Sequence, residues 1–172
     1  MISLQDAIEI EASPEQVFDW LAHFEDNYLA WHPDHVECRH VSGAPLERGT
    51  VIYTEEYLHG QIHKLTFEVT DLVPNSRVDY RAGFGKGGAF KVEPKGDKVL
   101  FIATLDVGSR APVLGWLFDT VMRTLFSDRI EALQRHMAEE GENLKRLLEE
   151  GTNYRPDGFS ETRQVCNASI RR

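Results

Sequence analysis

His136 and Glu140 stand four residues apart in the run His136-Met137-Ala138-Glu139-Glu140, a spacing that stacks two side chains on adjacent turns of a helix. An imidazole and a carboxylate so placed can share a proton, form an ion pair or ligate one metal ion. At about 100° per residue, Ile130, Leu133, Met137, Leu144, Leu147 and Leu148 fall on one stripe, while Glu131, Arg135, Glu139, Glu142 and Lys145 fall opposite. Glu140 lies within the apolar stripe. A carboxylate turned to a core is costly unless it is protonated, ion-paired or bound to a metal. Glu140 therefore requires a partner, and Arg129 or a metal shared with His136 would each serve.

Other residues able to do chemistry lie well upstream. Trp31-His32-Pro33-Asp34-His35 sets two imidazoles around a proline. Glu55 and Glu56 sit in a strand-like run, where alternation sends one inward and one outward. Glu56 shares its face with Ile52, Thr54 and Leu58, and Glu55 shares the other with Val51, Tyr53 and Tyr57, so periodicity does not choose between them. His63 shares a face with Leu65, Phe67 and Val69, as a satisfied core histidine or a polar group turned into a cavity. Tyr28 and Trp31 suit either buried packing or a pocket for an aromatic ligand. No G-x-S-x-G is present, and Cys38 has no activating pattern around it. Gly83, Gly85 and Gly88 fit G-x-G-x-x-G, but a strand-like run follows where a dinucleotide site needs a helix.

The elements that must position these groups read as α+β. Residues 2–12 have near-period-two apolar spacing and suggest a first strand; Ser13-Pro14-Glu15-Gln16 then supplies a cap, a first-turn proline and a capping-box glutamine for a short helix. Across 27–34 Pro33 argues against continuous helix. Strands are expected over 36–41, 49–58, 62–72, 78–82, 89–93 and 98–107, separated by turn residues such as Pro74-Asn75-Ser76 and a glycine-rich connection over 83–88. Consecutive strands with short turns imply a curved antiparallel sheet, and the long amphipathic segment over about 112–149 is the element able to fill its concave face.

This order, with the opening Ile10-Glu11-Ala12-Ser13-Pro14-Glu15-Gln16-Val17-Phe18-Asp19-Trp20, resembles the START-like helix-grip superfamily of polyketide cyclases, aromatase/cyclases and lipid- or hormone-binding proteins. The resemblance covers about residues 2–149 and implies a sheet wrapped around one long C-terminal helix with an internal apolar cavity. Three pieces, Trp31 to His35, Glu55 to Gly60 and His136 to Glu140, are together similar to the diacetylphloroglucinol hydrolase branch, whose members cleave a carbon–carbon bond in an acylated phenol with a metal held by two His and two Glu. The resemblance implies His35 from the loop, Glu56 from a strand, and His136 and Glu140 from the helix as ligands, with His32 as a substitute ligand or proton donor. His63 or a pocket tyrosine is the alternative donor. Such a donor set suits zinc, and iron(II) or manganese accept it too.

The chain's 172 residues suggest one domain over 1–150, large enough to enclose a cavity, followed by a polar tail over 151–172 that would pack on the surface or against a neighbouring chain and leaves room for a homodimer. A net charge of -9 gives no electrostatic footprint for nucleic acid or an anionic membrane. Two cysteines without CxxC spacing argue against a disulfide framework and a zinc finger. No apolar run approaches a membrane span and no signal-peptide pattern is seen, so the expected location is cytoplasmic. The expected partner is a small hydrophobic or aromatic molecule. The expected function is metal-dependent hydrolysis of an acylated phenolic or polyketide-like compound, or else a non-catalytic or cyclase-like module binding such a molecule.

Overall fold

The computed structural model describes residues 2–43, 45–58, 60–83, 85–108 and 127–150. The elements, in order, are β1 (Ile2–Ile10), α1 (Pro14–Ala22), α2 (Phe24–Trp31), β2 (His35–Ser42), β3 (Val51–Leu58), β4 (Gln61–Val73), β5 (Arg77–Ala82), β6 (Lys86–Lys95), β7 (Lys98–Val107) and α3 (Ser127–Glu150). The strands form one antiparallel sheet in the order β1-β7-β6-β5-β4-β3-β2. Each hairpin lays a strand beside the last, and β1 returns to pair with β7, so β1 and β2 become the two edges. This is the α+β helix-grip architecture: a curved open sheet around a C-terminal helix.

Local chemistry accounts for the helix ends. The Ser13 hydroxyl accepts from the Gln16 amide at 3.3 Å while the Gln16 side chain accepts from the Ser13 amide at 2.8 Å, the reciprocal capping box expected there. Helix α2 breaks off within residues 27–34, as Pro33 leads one to expect. The helix runs to Trp31 and stops two residues before the proline, because His32 takes the extended conformation (φ -143°, ψ 142°) that a following proline favours. His35, expected on a loop, is instead the first residue of β2.

The glycine-rich connection is likewise shorter than expected, since β6 begins at Lys86 and includes Gly87 and Gly88. A Cβ at Gly88 would collide with the Thr104 carbonyl oxygen and crowd the Tyr80 hydroxyl, so glycine there permits close packing within the sheet. The expected continuation of the long helix over 112–126, and the tail with Cys166, lie outside the described residues.

Helix α3 lies against β1 and touches β7 and α2, whereas α1 packs on β6 and α2 on β2. Among the described residues three helices therefore share the concave face, which corrects the expectation that the long helix fills it unaided. The stripe read from the sequence faces inward: Met137 and Leu144 are buried, with Ile130, Leu133 and Leu148 packed at the margin of the core. Lys145, expected on the outer face, is half-buried, and its ammonium donates to the Glu9 carbonyl at 2.9 Å. Leu144 is fully buried, so Leu144→Ala is expected to cost about 2–5 kcal/mol by lost burial and cavity formation. Exposed Glu142→Ala should stay within about 0.5 kcal/mol. Urea denaturation of both variants checks the helix orientation, and similar losses at both positions would contradict it.

Candidate metal centre

Where α3 crosses the end of α2, five side chains meet. His32 follows α2, His35 opens β2, Glu56 stands directly opposite His35 in the β2–β3 register, and His136 and Glu140 come from α3. The histidines are almost fully enclosed, with side-chain exposures of 4% for His32, 0% for His35 and 6% for His136, against 17% for Glu140 and 25% for Glu56. The carboxylates thus keep a narrow route to solvent, while the imidazoles must be satisfied from within.

One ring nitrogen of each of His32, His35 and His136 lies within 4.8 Å of the others. His35 Nδ1 is 2.7 Å from the Tyr28 carbonyl oxygen, which can only accept, so Nδ1 carries a proton and Nε2 is the nitrogen turned to Glu140 Oε1, 2.9 Å away. His136 Nε2 lies 3.6 Å from Glu56 Oε2 and 3.7 Å from Glu140 Oε1. These separations exceed hydrogen-bond length, and the nitrogen is buried without a hydrogen-bond partner. Donor atoms around one tetrahedral ion at about 2.1 Å stand roughly 3.4 Å apart. The three spacings 2.9, 3.6 and 3.7 Å lie around that value, and among the described residues the group close enough together to share one ion is the three imidazoles of His32, His35 and His136, with Glu140 and Glu56 beside them.

The same proximity shifts the titrating groups of the metal-free protein. Burial opposes the Glu56 charge, but His136 beside it, helped by His35 and His63, prevails and holds Glu56 below the usual carboxylate range. Burial also opposes the imidazolium of His136, yet Glu56 and Glu140 prevail and raise it above the usual histidine value. Burial, reinforced by Glu56 and Glu140, pushes the Tyr28 hydroxyl far above its ordinary range, and Tyr80 behaves likewise. Both are neutral phenols.

The structure resolves the choice between Glu55 and Glu56. Glu56 turns inward to His136, whereas Glu55 bonds Tyr53 and Lys64 on the other face. Glu140 turns to His35 and His136, as a ligand or an internal ion-pair partner would. Tyr28 and Trp31, considered for a substrate pocket, are buried at 4% and 1% exposure, with Tyr28 bonded to His35 and Trp31 to the Glu140 carbonyl. His63 is not enclosed: it is exposed near the start of β4, opposite Glu56, because burial on that face begins only towards Phe67. Burial, with Glu25 and Glu37 nearby, pushes the Cys38 thiol up to about 12, which disfavours the thiolate.

Two participants escape the sequence reading. Glu139 belongs to the polar face of α3, yet its carboxylate reaches His32 Nε2 at 3.3 Å, while the Asp34 amide donates to His32 Nδ1 at 3.0 Å. Tyr80, which reads only as a strand aromatic, lies within electrostatic reach of Glu140 and Glu56 and donates its hydroxyl to the Thr104 carbonyl. It also lines an apolar pocket with Leu21, Phe24, Ile52, Phe67 and Phe90. The space in it open to the centre of a water molecule is about 10 Å³, room for about one, far tighter than the expected ligand cavity.

The family model described as polyketide cyclase / dehydrase and lipid transport matches residues 1–149. The chain belongs to this family. Its fold is similar to TTHA0849 from Thermus thermophilus, with a TM-score of 0.67 and 16% identity over 88% of this chain and 99% of that one. The Zhui aromatase/cyclase from Streptomyces sp. R1128 is also similar, with a TM-score of 0.57 and 16% identity over 87% and 98% of the two chains. A START superfamily protein from Mycobacterium smegmatis gives a TM-score of 0.53 and 20% identity over 78% and 95%. At these identities the likeness shows the fold alone. No curated protein matches the sequence significantly. Among the described residues no helix is long and apolar enough to cross a membrane.

The opposed shifts of Glu56 and His136 predict a pH signature for the metal-free protein. Depressed Glu56 contributes stability above its ordinary value of 4.5 that is lost as pH falls through its folded value; raised His136 contributes below 6.5 and loses that contribution as pH rises through its folded value. The pair is worth most between those limits. In EDTA, Glu56→Gln should therefore lower the melting temperature more near pH 5.5 than near pH 8.5, and an equal loss at both would contradict the pairing.

Proposed function

We propose that this family member holds one divalent metal, with zinc well suited, at His35, Glu56, His136 and Glu140, and hydrolyses a carbon–carbon bond in a small acylated phenolic or polyketide-like molecule. The observation that carries the proposal is His136 Nε2, buried without a hydrogen bond and facing one carboxylate oxygen from β3 and one from its own helix. The four residues of the hydrolase-like pattern come from distant parts of the chain and meet there, and chance offers little reason for that. Polyketide cyclase / dehydrase and lipid transport, the family's description, accords with a small hydrophobic ligand.

Each residue then has a physical task. Glu56 and Glu140 neutralise the cation, and His35 offers Nε2 because its Nδ1 proton is held by Tyr28. The ion, when bound, supplies Lewis acidity at an acyl carbonyl and a lowered pKa for water. In the overall hydrolysis the acyl carbon gains oxygen from water, the acyl–ring bond breaks with its electron pair on the ring carbon, and that carbon takes a proton. His32 would move that proton, a role supported by its Nδ1 accepting the Asp34 amide, which leaves the proton on Nε2 beside Glu139. His63, across the β3–β4 pair from Glu56, is a second carrier on the solvent side. Phe24, Phe67, Tyr80 and Phe90 offer an apolar wall to the ring, which enters only if these side chains move.

A second reading, a cyclase-like or non-catalytic module for a hydrophobic molecule, is favoured by the apolar pocket lining. Glu140→Gln separates the two. Melting curves in EDTA and with added zinc should show a zinc-dependent rise in wild type that is lost in the variant. Turnover of a panel of acylated phenols should stop in EDTA, return with zinc and fail in Glu140→Gln. A variant that keeps the full zinc increment, or turnover indifferent to EDTA, would refute the metal role and leave the second reading.

A further inference from the structure

Helix α2 carries two aromatic residues one turn apart, Tyr28 and Trp31, and each holds a different part of the candidate centre without facing the ion. Tyr28 accepts the His35 Nδ1 proton on its main-chain carbonyl at 2.7 Å, and its ring lies flat on that imidazole, with centroids 3.8 Å apart and planes 4° from parallel. The carbonyl fixes the tautomer and the ring fixes the tilt. Tyr28 thus fixes His35 from both its carbonyl and its ring.

Trp31 acts on the other half. Its indole Nε1–H donates to the Glu140 main-chain carbonyl at 2.8 Å, joining residues 109 apart in sequence. That carbonyl lies inside α3, where the helix ladder already engages it, so the indole bond is a crosslink rather than the rescue of an orphan acceptor. The indole has little freedom to swing. It is 1% exposed and packs edge-on against Trp20 at 5.1 Å, Phe90 at 5.6 Å and Phe24 at 5.8 Å.

Sheet topology explains why such a crosslink matters. Helix α3 docks on β1, whereas His35 and Glu56 belong to β2 and β3, at the opposite edge of a seven-stranded sheet. Every change in sheet twist or curvature would slide His136 and Glu140 relative to His35 and Glu56. Helix α2, packed on β2 and touching α3, spans that gap directly. The geometry points to Tyr28 and Trp31 as positioning residues that clamp the two halves of the metal centre and set its affinity from outside the ligand set. This rests on the metal reading above.

The test measures zinc affinity by chelator competition, with the absorption spectrum of the cobalt(II)-substituted protein as a reporter of ligand geometry. Trp31→Phe keeps the ring and removes the donor; Tyr28→Leu removes the stacking; each should weaken zinc binding by about tenfold or more and alter the cobalt spectrum. Tyr28→Phe, which keeps the stacked ring, should restore affinity to within about threefold of wild type, well short of the loss expected from a disturbed outer shell. Phe101→Leu is the control for packing, because Phe101 is as buried as Trp31 and should lower the melting temperature without moving the affinity or spectrum of the folded protein. Trp31→Phe carries the test by itself if Tyr28→Leu does not fold. Wild-type affinity and spectrum in Trp31→Phe would overturn the clamp and leave the metal reading standing, as would an equal loss in Phe101→Leu. Wild type that takes up no metal would overturn both.

Discussion

Glu140 is a carboxylate carried into the grip of the fold by an otherwise apolar helix stripe, and the arrangement around it answers the cost of keeping it there. A second carboxylate, Glu56, arrives from the sheet, and the buried Nε2 of His136 stands between them at 3.6 and 3.7 Å. Two negative groups converging in a poorly hydrated place repel each other unless positive charge is supplied. In the metal-free protein the His136 imidazole favours the Glu56 charge and the two carboxylates favour the imidazolium, so Glu56 is shifted down and His136 up. A divalent ion would supply twice the charge and satisfy the nitrogen that the protein leaves unbonded.

The topology makes this meeting demanding. Because β1 and β2 are the edges of the sheet, a helix docked on β1 can share a site with β2 and β3 only by crossing the concave face. The short helices are therefore more than filler. Helix α1 and the Phe24 end of α2 close the apolar pocket, while the other end of α2 delivers Tyr28, Trp31 and His32 to the site. One element thus borders both the apolar space and the polar centre, the division expected of a site that would hold a hydrophobic molecule by its body and act on one polar group.

Much of this was legible in the residues because burial leaves periodic traces. The 3.6-residue stripe of α3 placed Met137 and Leu144 inside and showed Glu140 to be anomalous among them. Alternation likewise predicted the meander, with bounds that moved by a few residues where backbone pairing outran apolar pattern, as at Gly87 and Gly88. Other features leave no periodic trace. Alternation could not choose between Glu55 and Glu56, since both faces of β3 carry apolar residues; the choice came from the hydrolase-like pattern. Pro33 argued against a continuous helix over 27–34, and the helix does stop at Trp31, but the proline alone gave no sign that the helix would begin as early as Phe24. His63 follows the inward alternation yet stands beyond the reach of the core, which no local pattern reports. The contacts of Glu139 with His32 and Trp31 with Glu140 join residues more than 100 apart and are set by the crossing of α2 and α3 alone.

The central claim is that the gap among His35, Glu56, His136 and Glu140 is shaped for an ion and does more than accommodate an internal ion-pair network. Elemental analysis of untagged protein, purified without chelator and then equilibrated with zinc and desalted, tests it most directly. The account predicts about one divalent metal per chain, displaced when both Glu56 and Glu140 are changed to glutamine. Protein that retains no metal after zinc loading would contradict it.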